Sequence, residues 1–198
     1  GEVVLIEPGA MSRMSSNMKS SFKRQGSFFS AIFRKIFGGE NFFLGKYEHP
    51  NGGSLTFAPS IPGHVEHRQL SNNSLNVMAG CFLACTSGVN IKAKFGGLKA
   101  FFSGEGAFLL EASGSGDLFF NSFGGIVKKE INGEFIVDTG HVVAFDSSLN
   151  YSITGMGNFK STMLSGEGLV MKFKGAGTLY LQTRNVSSVA SWLTPRLL

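Results

Sequence analysis

Most of the chain consists of short apolar runs that glycine, asparagine or aspartate interrupts every few residues. Clear examples are LFFNSF (118–123), FIVDTGHVVAF (135–145) and TLYLQTR (178–184), which are rich in aromatic and β-branched residues. Such residues favour the pleated surface of a sheet, and the interrupting residues favour turns between strands. The pattern therefore predicts a mostly β fold with many short strands.

One segment follows the period of a helix instead. Between positions 27 and 38 the apolar residues recur on one helical face, at Phe28, Phe29, Ile32, Phe33, Ile36 and Phe37. Ser27 can cap the start of this helix, and Gly38 can end it. The spacing predicts a short helix near 28–37 whose apolar face plugs one end of a β core. The alternative is an amphipathic helix that lies on a membrane surface.

The apolar runs also repeat along the chain. Ser-Gly-Glu-Gly occurs at 103–106 and again at 165–168, and each copy leads through an apolar run to a Gly-x-Gly. Placing Gly140 on Gly80 aligns the strands before these motifs, and placing Gly9 on both recovers a third copy. The offset between copies is about 60 residues, which is typical of an internal repeat.

This periodicity predicts one domain built from three homologous β units. The units are expected at about 1–62, 63–125 and 126–185, followed by a C-terminal tail at 186–198. Together they are expected to form a β-sandwich or prism-like body with short helices. Gly9, Gly80 and Gly140 are then expected in equivalent turns.

Composition adds charge and compartment to this picture. The 198 residues include 27 Gly and 20 Phe, with a net charge of +5, and six basic but no acidic residues fall between Pro8 and Gly39. A charge this modest favours a solvated basic face over a nucleic-acid or lipid site, although both stay open. Cys81 and Cys85 are four residues apart, too far along a strand for a disulfide, so we expect two buried thiols in a reducing compartment.

Several motifs resemble known chemical sites but fit a structural role better. Gly104-Glu105-Gly106 and Gly114-Ser115-Gly116 have no third glycine or following helix, so they do not match a dinucleotide loop. Asp138-Thr139-Gly140 matches the aspartic protease triplet, but the position aligns with Glu7 and Met78 in the other copies. His64 and His67 would face opposite sides of a strand, which disfavours a shared metal site.

Glu40, Glu105 and Glu167 are the candidate binding residues. They occupy equivalent positions, one in each unit, and could point together towards a pseudo-threefold axis and hold a cation. The competing interpretation is that each accepts hydrogen bonds from turn amides or pairs with a nearby Lys or Arg. We expect no cofactor, no catalytic residue and no metal ligand beyond these three candidates.

The motifs SGEG, DTGH and LQTRN, in an order that spans nearly the whole chain, carry a family resemblance. The sequence resembles the altered-inheritance-of-mitochondria 24 family of mitochondrial biogenesis proteins, many of whose bacterial members have unknown function. The resemblance implies a β-sandwich-like fold related in shape to the trp RNA-binding attenuation protein, oligomerisation, and no established active site. The first copy departs from the pattern, because Asn41 replaces the second Gly of Gly-Glu-Gly.

These observations predict a non-catalytic scaffold or interaction protein that self-associates as a homo-oligomer. A trimer is favoured, because a closed cyclic assembly covers the strand edges that each unit leaves. The alternative is a ligand-binding module for RNA or an anionic membrane surface through the basic, Phe-rich segment 11–37. We expect the protein in the cytoplasm if it is bacterial and in mitochondria if it is eukaryotic, and not secreted, since the first residues do not form a signal peptide.

Overall fold

The computed structural model describes residues 2–24, 43–94, 109–155 and 169–197. The helix predicted at 28–37 lies outside these residues. Within them, thirteen strands, one α-helix and three short 3-10 helices are formed. The strands are β1 (Val3–Ile6), β2 (Met11–Met14), β3 (Lys19–Arg24), β4 (Phe43–Glu48), β5 (Leu55–Phe57), β6 (Val65–Met78), β7 (Phe82–Thr86), β8 (Val89–Lys94), β9 (Leu109–Asn121), β10 (Ile126–Asp138), β11 (Val142–Asp146), β12 (Asn150–Gly155) and β13 (Leu169–Gln182).

The strands form one large antiparallel sheet and one small one. Nine strands of the large sheet run in the order β10-β13-β11-β6-β9-β7-β1-β4-β3, while β12 pairs with β13 and β8 pairs with β9. The small sheet contains β2 and β5 alone. The prediction of a mostly β fold is confirmed.

Each of the three aligned glycines lies in a turn, and a shift in the pairing register of the next strand follows each turn. Gly9 has a φ of +82° between β1 and β2, and Gly80 and Gly140 lie in 3-10 helices between β6 and β7 and between β10 and β11. In each case the next strand begins two residues after the glycine and its register shifts directly after its first residue. The shifts fall between Met11 and Arg13, between Phe82 and Ala84, and between Val142 and Ala144. This correspondence supports the prediction of three units, whose boundaries and prism-like arrangement stay predictions.

The described residues form an interior with two apolar clusters. Phe82, Phe120 and Tyr180 belong to the first, where the rings of Phe120 and Tyr180 meet edge to face with centroids 5.1 Å apart. Phe145 and Phe173 belong to the second and make the same kind of contact at 5.0 Å. Phenylalanine suits these positions because its ring has no polar group that burial would leave without a partner.

The described chain ends in a short helix, α1 (Val186–Leu193), followed by a 3-10 turn at Thr194–Arg196. Asn185 caps α1, because its side-chain oxygen accepts hydrogen bonds from the backbone N–H groups of Ser187 and Ser188. None of the residues of α1 is buried, so the helix contributes little to the core. Among the described residues, no helix combines the length and the hydropathy that crossing a bilayer requires.

Candidate functional site

The three candidate glutamates cannot be placed. Glu40, Glu105 and Glu167 all lie outside the described residues, as do Gly104 and Gly106. Their convergence on a common axis therefore stays a prediction. In the part of the chain that the structure describes, no three His, Cys, Asp or Glu side chains are grouped so that they could hold a metal ion.

The second Gly-x-Gly of the suspected phosphate loops lies inside strand β9. A Cβ at Gly114 would come within 2.4 Å of the backbone oxygen of Gly88, and one at Gly116 within 2.4 Å of the Thr86 hydroxyl. Both glycines also have positive φ, +118° and +151°. They allow close approach between strands, and their backbone N–H groups do not lie at the N-terminus of a helix.

Asp138 serves the turn that follows it. Its carboxylate accepts a hydrogen bond of 2.8 Å from the backbone N–H of Gly140. The next residues form the short 3-10 helix Thr139–His141, in which His141 contacts the backbone oxygen of Gln182 at 2.8 Å through Nδ1. This geometry matches the interpretation of Asp138-Thr139-Gly140 as a turn of the fold.

His64 and His67 each have an acidic neighbour of their own. His67 Nε2 lies 2.7 Å from Asp117 Oδ1, and the His67 ring stacks on Phe119 with centroids 4.9 Å apart. His64 Nε2 instead lies 3.4 Å from Glu66. The two histidines are thus in separate pairs, on side chains that are half exposed.

A partly buried acid, Glu7, and a buried thiol, Cys81, lie together beside the first turn. Burial raises the pKa of the Glu7 carboxyl to about 7. Burial, together with the nearby Glu7 charge, raises the pKa of the Cys81 thiol to about 12. Cys81 and Cys85 are both buried and form no disulfide, in agreement with the prediction from their spacing. A thiol with so high a pKa stays protonated at neutral pH and is a poor nucleophile.

A polar network joins the second and third predicted units. Arg68 on β6 donates to the Tyr180 hydroxyl at 2.7 Å and to the Asp146 carboxylate at 3.3 Å. Asp146 also accepts from the backbone N–H of Thr178, whose hydroxyl donates to Glu130. Although burial alone would lower the pKa of Arg68, the hydrogen bond to Tyr180 and the neighbouring acidic charges raise it. Sequence reasoning missed this network, since Arg68 and Tyr180 are far apart along the chain.

A groove lies beside strand β10 on the described surface. Its volume is about 480 Å³. Apolar rings and oppositely charged side chains line it together: Glu134, Phe135, Ile136, Asn150, Tyr151, Ser152, Lys172, Phe173 and Lys174.

Several strands have an unpaired edge in the described structure, among them β10 and β2. β10 is the last strand of the large sheet and pairs only with β13, and β2 pairs only with β5. On β10, Val127 and Ile136 are 49% and 54% exposed, and Met11 and Met14 on β2 are also exposed. Unpaired N–H and C=O groups next to apolar side chains favour the addition of another strand. The chemistry of these edges therefore suits the addition of a strand from a partner.

Comparisons with known proteins identify the family and agree with the fold. The family model described as mitochondrial biogenesis AIM24 matches residues 1–184. An uncharacterized protein from Streptococcus pyogenes serotype M6 is 30% identical, over 98% of this chain and 82% of the relative. The crystal structure of a structural-genomics target from Streptococcus pyogenes, also 30% identical, superposes with a TM-score of 0.84 over 100% of this chain and 90% of that one. The chain belongs to the mitochondrial biogenesis AIM24 family.

Proposed function

We propose that the protein is a non-catalytic scaffold, built from three homologous β units in one domain, that works by self-association. A homo-oligomer covers strand edges that the single chain leaves open, and a trimer is the assembly we favour. The relatives named above are bacterial, so the proposal places the protein in the cytoplasm. The buried thiols of Cys81 and Cys85, which form no disulfide, support a reducing compartment.

One observation carries this proposal, namely the open edge of β10. The strand is 13 residues long, and its second half combines an exposed Ile136 with the adjacent groove. A long edge with apolar side chains is an aggregation hazard unless something covers it. Self-association removes the hazard and gives the protein its scaffolding role.

Light scattering across a concentration series tests self-association. We expect a mass of a whole multiple of the 21.2 kDa chain, with three chains favoured. The mass should fall towards that of one chain on dilution if the interface is small. A constant mass of 21.2 kDa at every concentration would contradict the proposal.

Binding of RNA or an anionic membrane through 11–37 stays the alternative prediction. Only residues 11–24 of that segment are described, and within them Phe22 is 80% exposed on the edge strand β3. Flotation with vesicles that contain phosphatidylserine, and a gel shift with single-stranded RNA, separate this alternative from the scaffold. Salt-sensitive binding in either assay would favour it.

A further inference from the structure

Two junctions between the predicted units share one register. β1 pairs with β7 so that Ile6 faces Ala84 and Leu5 faces Cys85. β6 pairs with β11 so that Val77 faces Ala144 and Asn76 faces Phe145. The two junctions follow the same rule. A residue three positions before one of the aligned glycines pairs with a residue four positions after the next aligned glycine, as Ile6 pairs with Ala84 and Val77 pairs with Ala144. The same rule therefore positions the first strand of one unit against the second strand of the following unit.

Both junctions are buried. Leu5 and Cys85 are almost fully inaccessible, and so are Asn76 and Phe145 that face each other in the second junction. All residues of β7 are buried, as are Val142 to Phe145 of β11. Strands β7 and β11 are thus buried where they pair with the first strand of the preceding unit, β1 and β6 respectively.

The third junction is missing within the chain. The shared register predicts Val137 opposite Arg13 and Ile136 opposite Met14, on strands β10 and β2. These two strands are not hydrogen-bonded to each other, and β2 is exposed along its whole length. Ile136 is 54% and Met14 is 43% exposed, although their counterparts in the other junctions are buried.

We propose that a second copy of this chain completes the third junction, its β2 pairing antiparallel with the second half of β10. Ile136 of one copy then faces Met14 of the other, and Val137 faces Arg13. The inference deepens the proposed self-association by assigning its surface and register, and it rests on that proposal.

The chemistry of the two strands suits a contact between separate molecules. The β7 and β11 residues that correspond to Ser12 and Arg13 are apolar and buried, whereas β2 is polar at these positions. Because Ser12 and Arg13 are polar, a junction that includes them can be partly hydrated, as the interfaces of reversible complexes are. Methionine is flexible and fills irregular gaps, and the groove beside Ile136 offers such a gap.

The contact is head to tail, because β10 of one copy meets β2 of the next. Each copy therefore retains one free β2 and one free β10 until the chain of contacts closes into a ring. A closed trimer satisfies this requirement, and so does any other closed ring in which every β2 is paired with a β10 of a neighbouring copy.

Mixing two variants that each carry one added cysteine, beside the buried native Cys81 and Cys85, tests the register directly. Met14→Cys and Ile136→Cys chains are mixed under mild oxidation, with Met14→Cys plus Val127→Cys as the matched control, since Val127 is equally exposed on the same strand. We expect a two-chain disulfide product at least ten times more abundant in the first mixture. Equal yields in both mixtures would overturn the register. The Met14→Cys/Ile136→Cys double variant is oxidised at high dilution as a second test. A disulfide formed within one chain would contradict the proposal that a second copy supplies the β2 strand.

A charge on β10 gives an independent measurement. Ile136→Lys should reduce the mass seen by light scattering to that of one chain, while Val127→Lys should leave the wild-type mass unchanged, with circular dichroism checking that both fold. If the wild type is oligomeric and Ile136→Lys keeps its mass, this inference fails and self-association stands. If the wild type has the mass of one chain at all concentrations, both fail.

Discussion

Glu7 is the residue whose ionisation opposes folding at neutral pH. Burial raises its pKa from 4.5 to about 7. Between these two values the unfolded chain has lost the proton and the folded chain has kept it. Stability therefore decreases as the pH rises from about 4.5 to about 7, and the penalty is complete above that range. Below about pH 4.5 the carboxyl is protonated in both states and costs nothing.

Glu7→Gln should therefore stabilise the protein at pH 8 and have little effect at pH 4. Allowing for partial solvent screening, we expect a gain on the order of 1 kcal/mol, or about 2–4 °C in Tm, at the higher pH. Thermal unfolding by circular dichroism at the two pH values measures the difference. Glu2→Gln, which removes one exposed carboxylate outside the groove, is the control for the loss of a charge. An equal effect of Glu7→Gln at pH 4 and pH 8 would contradict the account.

Glycines in this fold differ sharply in what they require. A Cβ at Gly63 would lie 1.7 Å from the backbone oxygen of Ser122, whereas one at Gly80 would meet nothing within 4 Å. Gly63→Ala should destabilise the protein by at least about 1–3 kcal/mol, because the clash is with backbone that cannot rotate away. Gly80→Ala should change stability by less than about 1 kcal/mol. Urea unfolding measures the free energy of unfolding of the two variants. Similar losses in both would contradict the claim that the close approach of Gly63 to the Ser122 backbone requires glycine.

At the scale of elements, the polar network of Arg68 ties β6 to β11 and β13. Removing the guanidinium of Arg68 removes the hydrogen bonds that it donates to the Tyr180 hydroxyl and to the Asp146 carboxylate, both of which are at least partly buried. Arg68→Ala should cost about 1–3 kcal/mol, whereas Lys46→Ala, which breaks an exposed ion pair with Glu48, should cost less than about 1 kcal/mol. Chemical denaturation measures both. A loss at Arg68 no larger than at Lys46 would mean that the network does not join these strands energetically.

Local patterns predicted strands well but not their partners. The run 135–145 forms parts of β10 and β11 around the turn at Gly140, and 178–184 includes the end of β13. The pairing of β6 with β11 could not be read from either strand alone, because it depends on contacts between residues about 70 positions apart. The Arg68 network and the identity of the open edges could not be predicted for the same reason, because both depend on which distant strands pair. The groove of β10 likewise depends on which strands lie next to it.

At the scale of the whole molecule, the organisation into three repeated units stays a prediction, although the aligned glycines share one structural feature. Gly9 lies in a turn with positive φ, whereas Gly80 and Gly140 lie in 3-10 helices, but a register shift follows each of the three glycines at the same distance. The candidate binding residues Glu40, Glu105 and Glu167 and the helix at 28–37 lie outside the described residues. The proposed interaction surface could not be predicted from the sequence, since the exposure of Ile136 and Met14 has meaning only when the register of the other two junctions is known.

Amide hydrogen exchange on β10 is the measurement that tests self-association through the third junction most directly. In the wild-type protein we expect amides of 134–138 to exchange as slowly as those of the corresponding segment 74–78 of β6, and to exchange faster on dilution. Met14→Lys leaves β10 unaltered in sequence, so it should accelerate exchange at 134–138 and not at 74–78. Fast exchange of the outward-facing amides of 134–138 in the wild type at every concentration, with no change in Met14→Lys, would contradict the account.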